Sequence, residues 1–284
     1  MIRDPIQSPA TELSHHPPWL LASLMLAASI IAIVAMVLPG IALGGTSAAP
    51  LLAPGIGIAL ALAGFWALPH LAGVSHHALF IHRPTRSALR WTAMGFAIAW
   101  LIPLSVILVT GTLPVVLISD PRMIVLAVTT GLLIGAWTGI VEEVLLRGYL
   151  LGVLMSSLRW PAAVAISAGV FGLLHHAAAT TVLGRGMYIA VTATAGICFA
   201  LITIRTSTVW EAVGMHAAWN ATFAPAVMMF EENHGMTPLF QFSTETSRRL
   251  LGGTVTSPTE SPLALGAFLT LALLLIWSIR SETH

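Results

Sequence analysis

The chain has 284 residues, 57% of them hydrophobic and only 8% charged, with a mean hydropathy of +0.90. Soluble domains carry about 25% charged residues, so a water-soluble fold is excluded. All 12 basic residues are arginine and stand against 11 acids for a net charge of +1, and without a basic block the chain offers no nucleic-acid surface. The lone Cys198 excludes a disulfide framework and a cysteine metal cluster.

In chain order, residues 1–18 read as a cytoplasmic N-terminal tail with Asp4, Glu12 and several prolines. The apolar run that follows lacks a small-residue cleavage signal. A helix of about 20 apolar residues crosses a bilayer. The predicted spans are 19–38, 51–68, 91–108 with an extension toward 118, 124–141 running on through 149, 162–174, 187–204, 209–230 and 262–279. The fifth is short enough to be tilted, broken or enclosed by the others. The Gly/Pro-rich stretch 39–54 predicts a turn or re-entrant loop, and 231–261, rich in Thr, Ser and Glu, is the one long polar connection. The expected fold is all-α: a polytopic helical membrane protein of about eight transmembrane helices.

Two patterns bear on how those helices pack and sit. Gly131, Gly135 and Gly139 recur every four residues, a small-residue stripe that lets another helix approach closely. Trp19, Trp91, Trp160, Trp210 and Trp277 fall near span ends, as interfacial anchors do. With the N-terminus inside, Arg3, Arg83, Arg86, Arg90, Arg147, Arg159, Arg205 and Arg280 lie toward the cytoplasm, and Arg122, Arg185, Arg248 and Arg249 lie opposite. This excess predicts that both termini lie in the cytoplasm, and the expected location is the plasma membrane, as a multi-pass protein.

Against this apolar background a few polar residues stand out. Glu142 and Glu143 directly follow an apolar span, and Arg147 follows Glu143 at i+4. On a helix Glu143 and Arg147 share a face, while Glu142 points about 100° away. His175 lies four residues after Phe171, and His216 four residues before Asn220; each pair can share a helical face. Ionisable groups at membrane depth are costly wherever they face lipid, which makes the set a functional candidate. Chemically it suffices for a hydrolase. Two imidazoles, with a carboxylate, can hold Zn²⁺, and a carboxylate can take a proton from water attacking a peptide carbonyl. An asparagine amide can stabilise the oxyanion. A metal-free scheme using glutamate and histidine alone stays open beside the zinc scheme.

These segments resemble the signature of the CPBP family of intramembrane proteases, which includes type II CAAX prenyl endopeptidases and bacteriocin-processing or immunity proteins. Glu142, Glu143 and Arg147 match the glutamate-pair motif, Phe171 and His175 the second motif, and His216 and Asn220 the third. The resemblance implies a four-helix catalytic core, here within 119–230, enclosing a cavity open to the cytosol. Residues 19–118 would then be accessory helices, and 262–284 a C-terminal helix and tail. It also implies that Glu142 activates water, that His175 and His216 bind a metal or the water, and that Asn220 stabilises the oxyanion. Glu143 and Arg147 would support the site. The implied metal set is His175, His216 and Glu142, with zinc as the cofactor.

The expected activity is endopeptidase cleavage of membrane-associated peptides or proteins, with the lipid bilayer as the other partner. Two alternatives stand against it: a non-catalytic membrane-binding, immunity or maturation factor, and a proton-coupled carrier, for which no inverted repeat is found. The absence of lysine and the Ala/Gly/Leu bias look bacterial, which argues against prenylated substrates. His70, His76, His77 and His82 lack the i, i+4 spacing of helix-borne ligands, and Glu211 reads first as a helix cap and second as support for His216. Trp219, beside Asn220, is the tryptophan placed to line a cavity.

Overall fold

The computed structural model describes residues 12–46, 48–111, 113–176, 182–230, 237–242 and 261–281. Arg3, Arg248, Arg249 and most of the 231–261 connection lie outside the described residues. Among the described residues, eight principal helices account for nearly all of the regular structure: α1 (Pro18–Leu43), α2 (Ala49–Ala72), α3 (Ala88–Thr110), α4 (Pro121–Met155), α5 (Trp160–Leu174), α6 (Val182–Thr206), α7 (Trp210–Thr222) and α8 (Pro262–Ser281). Six are long and apolar enough to cross a membrane, so this is a multi-pass helical membrane protein. The other two, α5 with 15 residues and α7 with 13, rise about 22 and 20 Å at 1.5 Å per residue. Neither reaches across a hydrocarbon layer of about 30 Å; α7 is buried among the longer helices, whereas α5 keeps an exposed face at Ile166, Leu173 and Leu174.

Several ends are set by the sequence in ways the run-by-run reading misplaced. The turn expected over 39–54 is confined to the short link between Leu43 and Ala49: α1 continues through Pro39 to Leu43, and α2 starts at Ala49 with Pro54 inside it. Pro50, in the first turn of α2, gives up an N–H that has no intrahelical partner there anyway. The third span stops at Thr110, because Gly111 takes a left-handed φ of 66° and returns its N–H to the Ile107 carbonyl. Its expected extension is instead a short strand, β1 (Val115–Val116). The seventh ends at Thr222 rather than 230, and the chain turns into β2 (Met228–Met229), which pairs in parallel with β3 (Phe240–Gln241). β1 lies antiparallel to β3 on its other side.

α4 begins where Asp120 accepts the Arg122 backbone N–H at 2.9 Å and Pro121 takes the first helical turn. It runs as regular α-helix to Glu143, widens into a π-helical turn over Val144–Leu150, and closes as α-helix to Met155. The glycine stripe does what its spacing predicts. A Cβ at Gly135 would stand 2.3 Å from the Ala217 carbonyl, and one at Gly139 would stand 3.2 Å from that of Val213. Only glycine lets the α4 and α7 backbones meet this closely. Gly95 of α3 presses on the other flank of α7, where a Cβ would stand 2.4 Å from the Met215 carbonyl. α7 is therefore clamped between α3 and α4, and α6, two-thirds buried over its apolar window, closes the interior beside it.

Candidate active site

The three motifs converge in the interior. Glu142 and Glu143 end the α-helical part of α4, and Arg147 lies inside the wide turn that follows. π-Turns inside α-helices recur at functional sites. Nothing in the sequence signals this one. The i, i+4 ion pair forms: Arg147 Nη1 donates to Glu143 Oε1 at 2.9 Å, with both side chains fully buried. The guanidinium also lies over the Phe171 ring at 4.4 Å and near Phe199 at 5.4 Å, so aromatic faces replace part of its lost hydration. Gly196 makes the room, since a Cβ there would stand 2.9 Å from Arg147 Nη2.

Glu143 Oε1 serves a second partner, His216, whose Nδ1–H donates to it at 2.7 Å. A carboxylate oxygen accepts, so the proton sits on Nδ1 and the Nε2 lone pair points the other way. Asn220 Nδ2 donates to that Nε2 at 3.0 Å and to Thr138 Oγ1 at 2.8 Å. Thr138 spends its own proton on the Ile134 carbonyl at 3.0 Å, which fixes the amide with its nitrogen toward both. Phe199 stacks flat on the His216 ring, centroids 4.9 Å apart. A chain of contacts thus runs from Arg147 through Glu143, His216 and Asn220 to Thr138.

His175 is the residue that ends α5. Its Nδ1–H donates to the Phe171 carbonyl at 2.7 Å, so this ring too presents a free Nε2 in its neutral form. Both Nε2 atoms face Glu142: Oε2 is 3.8 Å from that of His175 and 3.9 Å from that of His216. These separations are too long for direct hydrogen bonds and suit one bridging water. Glu142 and His175 keep about a quarter of their side-chain surface accessible, whereas Glu143 has none. Oε2 of Glu142 is buried without a hydrogen-bond partner, so the site holds an acceptor with nothing yet to accept.

All six signature residues therefore come together, and the zinc expectation can be tested on their donors. The residue types suit zinc, but the arrangement does not fit it. Ligands at 2.0–2.2 Å around a tetrahedral ion stand roughly 3.3–3.6 Å apart, closer than the separations given above. The His216 Nε2 lone pair is already committed to Asn220. Among the described residues no group of three such side chains is arranged to hold an ion. His176 turns away and bonds the Leu173 carbonyl. Three contributors had no motif to announce them. Thr138 shows in hindsight only as the residue one helical turn before Glu142, and Phe199 and Tyr188 lie in α6 without any sequence signal.

Two unequal cavities meet at this point. The larger, about 570 Å³, is lined by Glu142 and His175 together with apolar residues of α1, α4 and α5. The smaller, about 120 Å³, is lined by His175, Tyr188, Thr192, His216, Trp219 and Asn220 among others. Trp219 thus faces a cavity as expected. Glu211 does not cap α7, whose cap residue is Val209, and it touches no signature residue. It is fully buried and accepts hydrogen bonds from Thr85 and Ser87 of the α2–α3 connection. Trp210 donates its indole N–H to the His82 carbonyl of the same connection. The start of α7 is thereby tied down outside the site.

Residues 124–222 match the family model described as type II CAAX prenyl endopeptidase Rce1-like. The matched span runs from within α4 to the end of α7 and contains all six signature residues. No curated protein matches the chain.

Proposed function

With residues 124–222 a match to the Rce1-like family of type II CAAX prenyl endopeptidases, a family of membrane proteases, we propose that this protein is an intramembrane endopeptidase that hydrolyses membrane-associated peptides or protein tails with a water activated by Glu142. The observation that carries this reading is the unpaired Glu142 Oε2 facing two imidazole Nε2 atoms at 3.8 and 3.9 Å.

A water bound there gives one proton to Glu142 and attacks the scissile carbonyl carbon. His175 Nε2 orients the water by accepting its second hydrogen. Glu142 then passes its proton to the departing amine, and the peptide C–N bond breaks. Glu143 and Arg147 act one step back, by keeping His216 in the tautomer that turns its lone pair toward Asn220. That amide is the donor assigned to the oxyanion. It serves by exchanging its bond to His216 Nε2 for one to the substrate oxygen. The donor geometry favours this metal-free scheme over zinc.

The test is cleavage of a membrane-peptide library by the purified protein in lipid nanodiscs. A positioned general base is worth about 10²–10⁴ in rate, so Glu142→Gln is expected to lower cleavage at least about 100-fold while helicity persists. A chelator is expected to leave the wild-type rate unchanged, and stoichiometric zinc lost together with activity would replace this scheme with a metal-assisted one. A variant that keeps full cellular activity without cleaving anything would assign the protein to membrane binding, immunity or maturation instead. With Arg147 set aside as buried, the remaining arginine excess supports an orientation with both termini in the cytoplasm. Reporter fusions at the two ends are expected to report the same, cytoplasmic, side.

A further inference from the structure

The larger cavity has a wall that the family match does not cover. Met25, Ser29, Ala32 and Met36 of α1 line it, spaced four, three and four residues apart, so they form one stripe on one face of that helix. From Met25 to Met36 the stripe is about 16 Å long. Leu145 and Leu150 of the π-turn face it from α4, and Leu174 from α5. Ile33, Val37 and Leu174 line the cavity yet stay largely exposed, at 62%, 49% and 63%. Its mouth therefore lies between α1 and α5 on the lipid-facing surface. Glu142 and His175 stand at its inner wall, and Phe171 and His175 also line the small polar cavity beyond.

The chemistry of the wall limits what can enter. The Ser29 hydroxyl donates to the Met25 carbonyl, and the helical backbones are internally paired. Away from Glu142 and His175, the lining residues are otherwise apolar. A peptide backbone laid along the cavity would leave its N–H and C=O groups unpaired, at a cost of several kcal/mol each in such surroundings. Hydrocarbon side chains carry no such groups.

We propose that α1 is the specificity-determining element of this enzyme. Its stripe admits large apolar side chains of the substrate residues next to the scissile bond, while the substrate backbone stays at the polar boundary beside Glu142 and His175. Met25 and Met36 are flexible and polarisable, so the stripe selects for bulk rather than for one shape. The identity of the bond cleaved rests on the proteolytic reading; the binding preference does not.

The test uses the full chain carrying Glu142→Gln in nanodiscs and fluorescent Gly/Ser decapeptides with one central residue, Ala, Leu or Trp. Burying a large side chain is expected to make the Trp peptide bind at least tenfold tighter than the Ala peptide. Met36→Trp, which fills the cavity, is expected to bring that preference to within twofold. Met36→Ala, which enlarges it, is expected to keep or widen it, and Leu132→Trp on the exposed face of α4 is expected to change nothing. In the active enzyme the two Met36 variants are expected to move KM and leave kcat within about twofold, and Leu132→Trp to move neither.

A preference unaffected by both Met36 variants, or lost equally in both, overturns the inference. So does an S-hexadecyl peptide that binds whatever its central residue and is expelled by Met36→Trp, because the cavity would then hold a lipid chain. Binding that follows Met36 without any Glu142-dependent cleavage removes the proteolytic reading and leaves the α1 stripe standing.

Discussion

Glu142 and Glu143 are adjacent in sequence and opposite in circumstance. Glu143 is sealed in, with one oxygen shared between Arg147 and His216, and Glu142 lines the larger cavity with its Oε2 unpartnered. Removing the charge on Glu143 leaves a buried guanidinium without its anion, and breaking a buried pair typically costs about 3–5 kcal/mol. Glu143→Gln is therefore expected to lower the thermal midpoint far more than Glu142→Gln, as differential scanning fluorimetry of the two variants would read. His82, outside the spans, supplies a pH dependence. Burial, and then His77, hold its pKa below the usual imidazole value, and Glu211 opposes them only in part. A base with a depressed folded pKa takes up fewer protons folded than unfolded. Its contribution is thus present above about pH 6.5 and is lost as pH falls from there toward the folded value. Melting at stepped pH is expected to show this loss in the wild type and less of it in His82→Gln.

At the scale of elements, the site depends on how closely α4 and α7 approach. Gly135→Val would put side-chain atoms onto the Ala217 carbonyl, which lies 2.3 Å from the Cβ position and belongs to backbone that cannot turn aside. Overpacking of this kind costs about 1–3 kcal/mol, and here the strain is delivered to the helix carrying His216 and Asn220. The variant is expected to lose both stability and cleavage, while Gly55→Ala in α2, with nothing within 4 Å of its Cβ position, is expected to lose neither. Thermal melting with the cleavage assay checks both. The glycine stripe, the ion pair and the two i, i+4 pairs were legible in the sequence because helical periodicity fixes which residues share a face. The π-turn was not, since one widened turn changes hydrogen-bond register without demanding a particular residue. The 39–54 stretch misled for the opposite reason: Pro39 and Pro54 read as breaks but sit within helices.

For the whole molecule, composition alone gave the membrane and the all-helical class. The cavities were beyond it, because they form between helices far apart in the chain: α1 contributes Met36 and α5 contributes His175 to one wall system. The two short helices, α5 and α7, carry His175, His216 and Asn220, and six longer helices hold them within the bilayer-spanning body. This arrangement sets the polar chemistry back from the lipid-facing surface, at the inner wall of the larger cavity. The central claim is that water activated by Glu142 attacks the peptide carbonyl directly. A single turnover in ¹⁸O-labelled water, with excess protein over a cleaved library peptide, tests it most directly by mass spectrometry. The account predicts one ¹⁸O in the new C-terminal carboxylate from the first turnover. An unlabelled product with the label on the Glu142 side chain would contradict it, because the carboxylate would then have acted as a nucleophile.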